Sequence, residues 1–251
     1  MRSILERIIY TSTALWALIW FFITMLFILI PVILIGIFSE PRRTDFFIRI
    51  SQIWMAIYLP IAGIRLKITG KEKFTQGRPF IIVCNHNSFM DIPISSPGIP
   101  GGNKTIAKIE LSRIPLFGLI YKRGSVLVDR KDENSRKNSY LKMKEVLASG
   151  LHMCIYPEGT RNKTTDPLKT FKDGAFKLAI ETQTPIMPAV IIGTKKMLPA
   201  NKLMYFKPGK ATMIFMDPVE TIGLQSADLK DLKDRIFQMM WDKIEHETKV
   251  S

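Results

Sequence analysis

Cysteine and histidine are scarce in this chain, and this limits the chemistry that it can support. Its 251 residues include two cysteines, Cys84 and Cys154, which is too few for a disulfide scaffold. Both lie in apolar runs typical of buried strands, so we expect small buried thiols and a reducing compartment. Of the three histidines, His152 begins a predicted strand and His246 lies in a predicted helix, so neither is expected to be catalytic. A zinc site needs three or four ligands, and no such cluster occurs, so no metal is expected.

Charged side chains are absent from residues 8–39, which contain the run ALWALIWFFITMLFILIPVILIGIF. About 20 apolar residues suffice for a helix to cross a bilayer. The run is longer than the ~7–15-residue apolar region of a signal peptide, and no small-residue cleavage site follows it. We therefore predict a hydrophobic helical membrane anchor at the amino terminus.

The arrangement of this anchor is left open by the sequence. Arginines lie on both sides of the apolar run, so the positive-inside rule gives it no clear direction. Pro31 interrupts the run, and a second apolar stretch covers residues 50–64. A single spanning helix and two helices that dip into one leaflet and return both fit.

Acidic residues are outnumbered, since 22 Asp and Glu stand against 36 Lys and Arg, for a net charge of +14. Beside a membrane anchor, this excess favours attraction to anionic lipid headgroups, worth about 1 kcal/mol per well-placed basic side chain. Nucleic acid is another common partner of basic proteins. The chain has neither zinc-finger spacing nor an RNA-binding aromatic signature, so we expect no nucleic-acid partner.

The rest of the chain has the composition of a globular domain. Apolar runs bounded by turn residues lie at residues 79–84, 125–129, 151–157, 185–193 and 211–216. Helix-like patterns separate them, which predicts an α/β fold with a mostly parallel central sheet flanked by helices. We place the boundary near Gly70, with anchoring helices in residues 1–70 and the catalytic domain in residues 71–251.

A histidine and an aspartate follow the first of these runs, in the stretch FIIVCNHNSFMD. Ligands bind at the carboxyl ends of strands in open α/β sheets, where we expect His86. A continuous helix would point residues five apart about 140° away from each other. A turn at Asn87 and Ser88 would instead fold Asp91 back towards the imidazole. Asp91 would then accept from one ring nitrogen and leave the other as a base.

Three further stretches carry positive charge. YPEGTRNKT contains Arg161, whose guanidinium can hold two phosphate oxygens at once, and Glu158, which would orient that arginine or meet a substrate hydroxyl. RGSVLVDR ends in Arg130, and TIAKIELSRIPLFG contains Lys108. Each stretch alone also fits a solvated surface loop. Arg130 and Glu158–Arg161 fall, like His86, at the ends of predicted strands, which favours a single rim with a base, a glutamate and phosphate-binding cations.

NHNSFMD, GSVLVDR, YPEGTR and IMPAV, in this order, resemble the four motif blocks of the glycerolipid acyltransferases. The match is closest to the 1-acylglycerol-3-phosphate (lysophosphatidate) acyltransferases, covers about residues 80–193, and agrees with the hydrophobic amino terminus usual in that family. It implies transfer of a fatty acyl group to the sn-2 hydroxyl of 1-acyl-sn-glycerol-3-phosphate, giving phosphatidic acid. No cofactor is implied, since the acyl group arrives on coenzyme A or on acyl carrier protein. The expected location is the cell inner membrane, with the active site facing the cytoplasm.

The resemblance also implies a role for each motif residue. His86 would be the general base, and Asp91 would orient it. The acceptor's glycerol-phosphate site would be formed by Lys108, Arg130, Glu158, Gly159, Thr160 and Arg161. Pro188 in the fourth block is carried over only as structural. Tyr156 and Asn162 stand where phenylalanine and serine are commoner in the family, and neither difference removes a charge.

Other functions fit parts of this pattern. The same machinery could acylate another lysophospholipid or an amino-lipid. A lipid esterase with Ser88 as nucleophile is disfavoured, because Ser88 lies two residues from His86 and no G-x-S-x-G elbow occurs. A non-enzymatic membrane lipid-binding protein would explain the anchor and the charge but not the motif residues. The expected partners are lysophosphatidic acid, an acyl thioester and membrane lipids.

Overall fold

The computed structural model describes residues 2–75, 77–202 and 204–250. Its α-helices are α1 (Arg2–Leu34), α2 (Arg42–Ile61), α3 (Asp91–Gly98), α4 (Phe117–Arg123), α5 (Glu133–Ala148), α6 (Gly174–Thr182), α7 (Thr194–Met197) and α8 (Leu229–Val250). Its strands are β1 (Ile64–Thr69), β2 (Ile81–Cys84), β3 (Asn103–Lys108), β4 (Ser125–Val128), β5 (His152–Ile155), β6 (Ile186–Ile192) and β7 (Gly209–Phe215). Short 3₁₀ helices lie at Ile35–Ile37, Lys71–Lys73, Ile109–Arg113 and Ser226–Asp228.

The strands form one sheet in the order β1-β7-β6-β2-β5-β3-β4. Neighbours from β6 to β4 run parallel, β7 is antiparallel to β6, and β1 is parallel to β7. Along β2, Ile82 and Cys84 face a core shared with α1 and α2, whereas Ile81 and Val83 face a core shared with α5, α6 and α8. Burial on both faces explains the continuous apolar strands. The predicted mostly parallel α/β sheet is confirmed.

The five predicted strands correspond to β2, β4, β5, β6 and β7, and two strands escaped prediction. β3 reads NKTIAK, with polar residues between its buried ones, and β1 is an edge strand that reads IRLKIT. β1 pairs with β7, so the sheet already begins within the segment that we predicted as anchor. Cys84 and Cys154 are buried free thiols, as expected.

Helices α1 and α2 form an antiparallel hairpin that rests on the globular domain. The Phe21 ring lies 5.1 Å from that of Trp54, whose indole nitrogen donates to Thr24 Oγ1 at 2.9 Å. Near the far end of α2, Trp16 Nε1 donates to the carbonyl oxygen of Ile61 at 2.9 Å. The hairpin also bonds to the globular domain, where the amide of Phe206 donates to the carbonyl oxygen of Tyr10 on α1 at 3.1 Å.

A carboxylate fixes the turn of this hairpin to the sheet. Glu40 Oε1 accepts from Lys104 Nζ on β3 at 2.8 Å and from Arg43 Nη2 at 2.9 Å, while Oε2 accepts from Thr44 Oγ1 at 2.6 Å. Burial raises the pKa of Glu40, but these three hydrogen-bonding partners outweigh it and lower the pKa to about 2. Both ends of the hairpin are therefore attached to the globular domain.

Residues Ile4–Ile37 are long and apolar enough to cross a bilayer, and an 18-residue window within them has a mean hydropathy of 3.0. Pro31 lies inside α1 and does not end it, since the helix continues to Leu34. Large apolar side chains such as Phe22, Phe27 and Ile30 remain exposed on the face of α1 turned away from the protein. The predicted N-terminal hydrophobic helix is confirmed.

Candidate active site

The loops that follow β2 and β5 meet at the carboxyl edge of the sheet. Asn85 follows β2 directly and is bonded to the neighbouring strand β6. Its Nδ2 donates to the carbonyl oxygen of Ile191 at 2.9 Å, and its Oδ1 accepts from the amide of Ile191 at 2.7 Å. The amide of Asn162 donates to the carbonyl oxygen of His86 at 2.6 Å and so joins the two loops. His86 therefore stands at a fixed point of the sheet edge, where ligands bind in open α/β folds.

His86 and Asp91 form a hydrogen-bonded pair. His86 Nδ1 lies 2.9 Å from Asp91 Oδ2, and Asp91 is completely buried as the first residue of α3. The same oxygen accepts from the amides of Asn87 at 2.6 Å and Ser88 at 2.7 Å, so the turn does fold the aspartate back onto the imidazole. Since the carboxylate only accepts, Nδ1 carries the proton and Nε2 is left as a base.

The ring of Tyr156 packs against one face of the His86 imidazole. Its ring stacks on that of His86 with 4.3 Å between centroids and an angle of 29° between planes. Its hydroxyl pairs with Ser95 Oγ at 2.7 Å, and burial raises the pKa of Tyr156, which keeps the phenol neutral. The sequence suggested only that Tyr156 replaces a commoner phenylalanine; the hydroxyl is accommodated because Ser95 lies opposite it.

Glu158 ties together the loops around the histidine. Its Oε1 accepts from the amide of His86 at 2.6 Å, and its Oε2 accepts from the amide of Lys169 at 3.0 Å. Burial raises the pKa of Glu158 to about 7, although both amides act to lower it. Backbone donors, rather than Arg161, are its partners, so its observed contacts position the main chain of His86.

Three candidate residues, Gly159, Thr160 and Arg130, meet around the same loop. Gly159 has a φ of 72°, in the left-handed region that favours glycine, and its carbonyl oxygen accepts from Arg130 Nη1. Thr160 Oγ1 accepts from Lys169 Nζ at 2.6 Å. Lys195 Nζ, which we did not predict, donates to the carbonyl oxygen of Thr164 at 2.5 Å. Three cationic side chains thus donate to oxygen atoms of this loop.

Arg161 and Lys108 differ in how they are held. The guanidinium of Arg161 lies 3.6 Å from the centroid of the Phe89 ring, and burial lowers its pKa without removing its charge. Lys108, at the end of β3, pairs with Glu110 at 3.2 Å on the exposed surface. Within the described residues, Lys108 makes no side-chain hydrogen bond to the other candidate residues.

Ser88 has a structural role in this turn. Its hydroxyl donates to the carbonyl oxygen of Leu198 at 2.8 Å and accepts from the amide of Met90 at 3.1 Å. A nucleophilic serine needs a base that takes its proton. Because the proton of Ser88 points to a main-chain carbonyl, the esterase alternative loses its nucleophile.

An apolar cavity of about 460 Å³ lies between the helical hairpin and the globular domain. Its lining includes Phe21 and Trp54 of the hairpin, Ala107 of β3, and Phe89 of the loop that carries His86. This volume is within the range of small-molecule sites. The sequence could not reveal the cavity, because it arises where distant segments pack together.

Residues 65–192, about half of the chain, match the protein family described as acyltransferase. Over 180 residues, the chain is 31% identical to 1-acyl-sn-glycerol-3-phosphate acyltransferase alpha of Ovis aries, which covers 71% of this chain and 62% of the relative. It is 32% identical to the beta form of Homo sapiens over 180 residues, or 71% of this chain and 64% of that one. The chain thus spans less than two thirds of the length of these relatives.

A bacterial relative and a solved structure cover more of the chain. The probable 1-acyl-sn-glycerol-3-phosphate acyltransferase of Mycoplasma pneumoniae is 27% identical over 214 residues, 80% of this chain and 79% of the relative. The crystal structure of the 1-acyl-sn-glycerophosphate (LPA) acyltransferase PlsC from Thermotoga maritima has the same fold, with a TM-score of 0.81, 22% identity, and coverage of 97% of this chain and 98% of that one. Together with the family match, these findings show that the chain belongs to the acyltransferase family.

Proposed function

We propose that the protein transfers a fatty acyl group from an acyl thioester to the sn-2 hydroxyl of 1-acyl-sn-glycerol-3-phosphate, giving phosphatidic acid for phospholipid biosynthesis. The observation that carries this proposal is the oriented His86–Asp91 pair, which lies on the same turn as a residue that lines the apolar cavity. The names of the relatives support the choice of acceptor.

In the proposed reaction, His86 Nε2 takes the proton of the acceptor hydroxyl as its oxygen attacks the thioester carbonyl. The imidazolium is stabilised by Asp91, whose carboxylate receives its Nδ1–H at 2.9 Å. The tetrahedral intermediate then collapses, the C–S bond breaks, and the imidazolium returns its proton to the leaving thiolate. A positioned base contributes typically ~10²–10⁴ in rate. The transfer is redox-neutral, so we propose no cofactor beyond the acyl carrier.

The acceptor's phosphate is proposed to bind at Arg161 and Arg130. Gly159 and Thr160 would shape the loop that carries Arg161. Lys108 would approach from the end of β3. Arginine suits this role because its planar guanidinium can donate two parallel hydrogen bonds to phosphate oxygens. The apolar cavity is of a size and lining that suit an acyl chain. Acyl-CoA and acyl-acyl carrier protein are both compatible donors for a chain with net charge +14.

The membrane arrangement proposed here is insertion of the hairpin into one leaflet of the cell inner membrane, with the site on the cytoplasmic side. Two attachments support it. The amide of Phe206 bonds to Tyr10 near the start of α1, and Lys104 pairs with Glu40 just after its end. An upright α1, about 50 Å long for its 33 residues, would therefore draw part of the globular domain into the hydrocarbon core.

The proposal is tested by incubating detergent-solubilised full-length protein with acyl-CoA or acyl-acyl carrier protein and a panel of lysolipids, with product identification by mass spectrometry. Phosphatidic acid should form from lysophosphatidic acid, and His86→Ala should abolish it. Preferred acylation of another lysolipid would show that this lysolipid, and not lysophosphatidic acid, is the acceptor. Release of free fatty acid alone would indicate an esterase. Lipid binding without any product would indicate a lipid-binding protein.

A further inference from the structure

Arg161 is held by an aromatic ring rather than by an acid. Its guanidinium lies 3.6 Å from the centroid of Phe89. Among residues 2–75, 77–202 and 204–250, its guanidinium has no hydrogen-bond or ion-pair partner. A carboxylate partner would occupy the donors of the guanidinium, whereas a ring under its face leaves all five N–H groups in its plane free.

Phe89 also belongs to two other parts of the site. It lies three residues after His86 and two before Asp91, within the turn that orients the imidazole. The residue is 54% exposed, yet it lines the apolar cavity beneath the helical hairpin. One side chain therefore contacts the cation, lines the apolar cavity, and is attached to the turn that sets the position of the base.

We propose that Phe89 is a positioning residue that holds the guanidinium of Arg161 in the orientation that receives the acceptor's phosphate, while it borders the cavity for the acyl chain. This inference rests on the proposed function. The physical reason is preorganisation: an arginine side chain loses rotamer freedom when it binds, and a stack that orders it beforehand lowers that cost.

The test compares Phe89→Leu, which keeps an apolar side chain but removes the ring, with Phe89→Tyr, which keeps the ring. Phe22→Leu is the matched control, because Phe22 is similarly exposed at 51% and lies on the outer face of α1. Initial rates of the full-length proteins in detergent give kcat and KM for lysophosphatidic acid and for a phosphate-free monoacylglycerol. We expect Phe89→Leu to raise KM for lysophosphatidic acid about 3- to 30-fold, the range of cation–π contacts, with kcat within about twofold. Phe89→Tyr and Phe22→Leu should resemble the parent protein.

A double variant shows whether Phe89 acts through the arginine. In an Arg161→Ala background, Phe89→Leu should cause no further rise in KM for lysophosphatidic acid. An unchanged KM in Phe89→Leu, an equal loss with the phosphate-free acceptor, or additive effects in the double variant would each overturn the inference. If the parent protein fails to acylate lysophosphatidic acid, the proposed function itself fails before any variant is compared. An active parent with an unaffected Phe89→Leu variant refutes only the role of Phe89.

Discussion

Asp91→Asn should separate the charge of the aspartate from its structural role. Asp91 Oδ2 accepts three hydrogen bonds, from His86 Nδ1 at 2.9 Å and from the amides of Asn87 and Ser88 at 2.6 and 2.7 Å. An asparagine can present its carbonyl oxygen to all three donors, so the turn and the tautomer of His86 should persist. Its amide nitrogen would occupy the place of Asp91 Oδ1, a buried atom without a hydrogen-bond partner among the described residues.

The charge that stabilises the imidazolium is lost in this variant. Two unit charges about 4 Å apart interact by about 4 kcal/mol at an effective dielectric constant of 20, which corresponds to almost 10³ in rate. Partial solvation of His86 reduces this, so we expect kcat to fall by about 10²–10³, with KM for lysophosphatidic acid within about threefold. Thermal unfolding should shift by only a few degrees.

The assay is formation of phosphatidic acid at saturating acyl thioester and acceptor, alongside thermal unfolding of the same preparation. Asp91→Ala is the structural comparison, because it leaves two buried amides without an acceptor, at about 1–3 kcal/mol each. It should lose both activity and stability. A kcat of Asp91→Asn within tenfold of the parent would refute the electrostatic reasoning and leave Asp91 as a residue that only shapes the turn.

Three further predictions address other parts of the structure. His86→Ala should abolish transfer to every acceptor while membrane association and unfolding temperature are retained, and activity within tenfold of the parent would exclude His86 as the base. Arg161→Lys should raise the KM for lysophosphatidic acid and so lower kcat/KM by a factor equivalent to about 1.5–3 kcal/mol. An equal loss of kcat/KM with monoacylglycerol would show that Arg161 has a structural role instead. Burial lowers the pKa of His152 to about 4, against a partial upward effect of its hydrogen bond to Pro100, so its neutral form stabilises the fold above pH 6.5. This contribution to the free energy of unfolding should fall by about 2 kcal/mol between pH 6.5 and pH 5 and be lost below pH 4. His152→Gln should therefore make the free energy of unfolding depend less on pH. The same pH dependence in this variant as in the parent protein would contradict the prediction.

Local patterns were sufficient to predict much of the fold and part of the site. Strands buried on both faces have a continuous apolar sequence, which is why β2 and β5 were found, whereas β1 and β3 carry polar residues and were not. The turn at Asn87 and Ser88 could be predicted because its capping residues and the aspartate lie within six residues of His86. The catalytic and binding roles of the motif residues stay predictions.

Other features depend on segments that are distant in the sequence. Glu158 binds the amide of His86, 72 residues away, and no pattern in YPEGTR distinguishes this contact from an ion pair with Arg161. The stack of Arg161 on Phe89 and the cavity beneath the hairpin also join parts of the chain that only the folded sheet brings together. Exposed aromatic residues in motif loops would be a useful signal for such contacts.

The attachment of α1 to Phe206 has a consequence for how the chain folds. α1 is synthesised well before its partner near Phe206, and β1 is synthesised well before its partner strand at Gly209–Phe215. Contacts this distant in sequence form slowly, and until they form, the face of the α1–α2 hairpin that packs on the globular domain has no protein partner. We therefore expect the nascent hairpin to stay inserted in lipid while the sheet forms, and to pack on the globular domain only after the sheet is complete. Chains truncated before residue 206 should remain bound to membranes but be readily digested by protease.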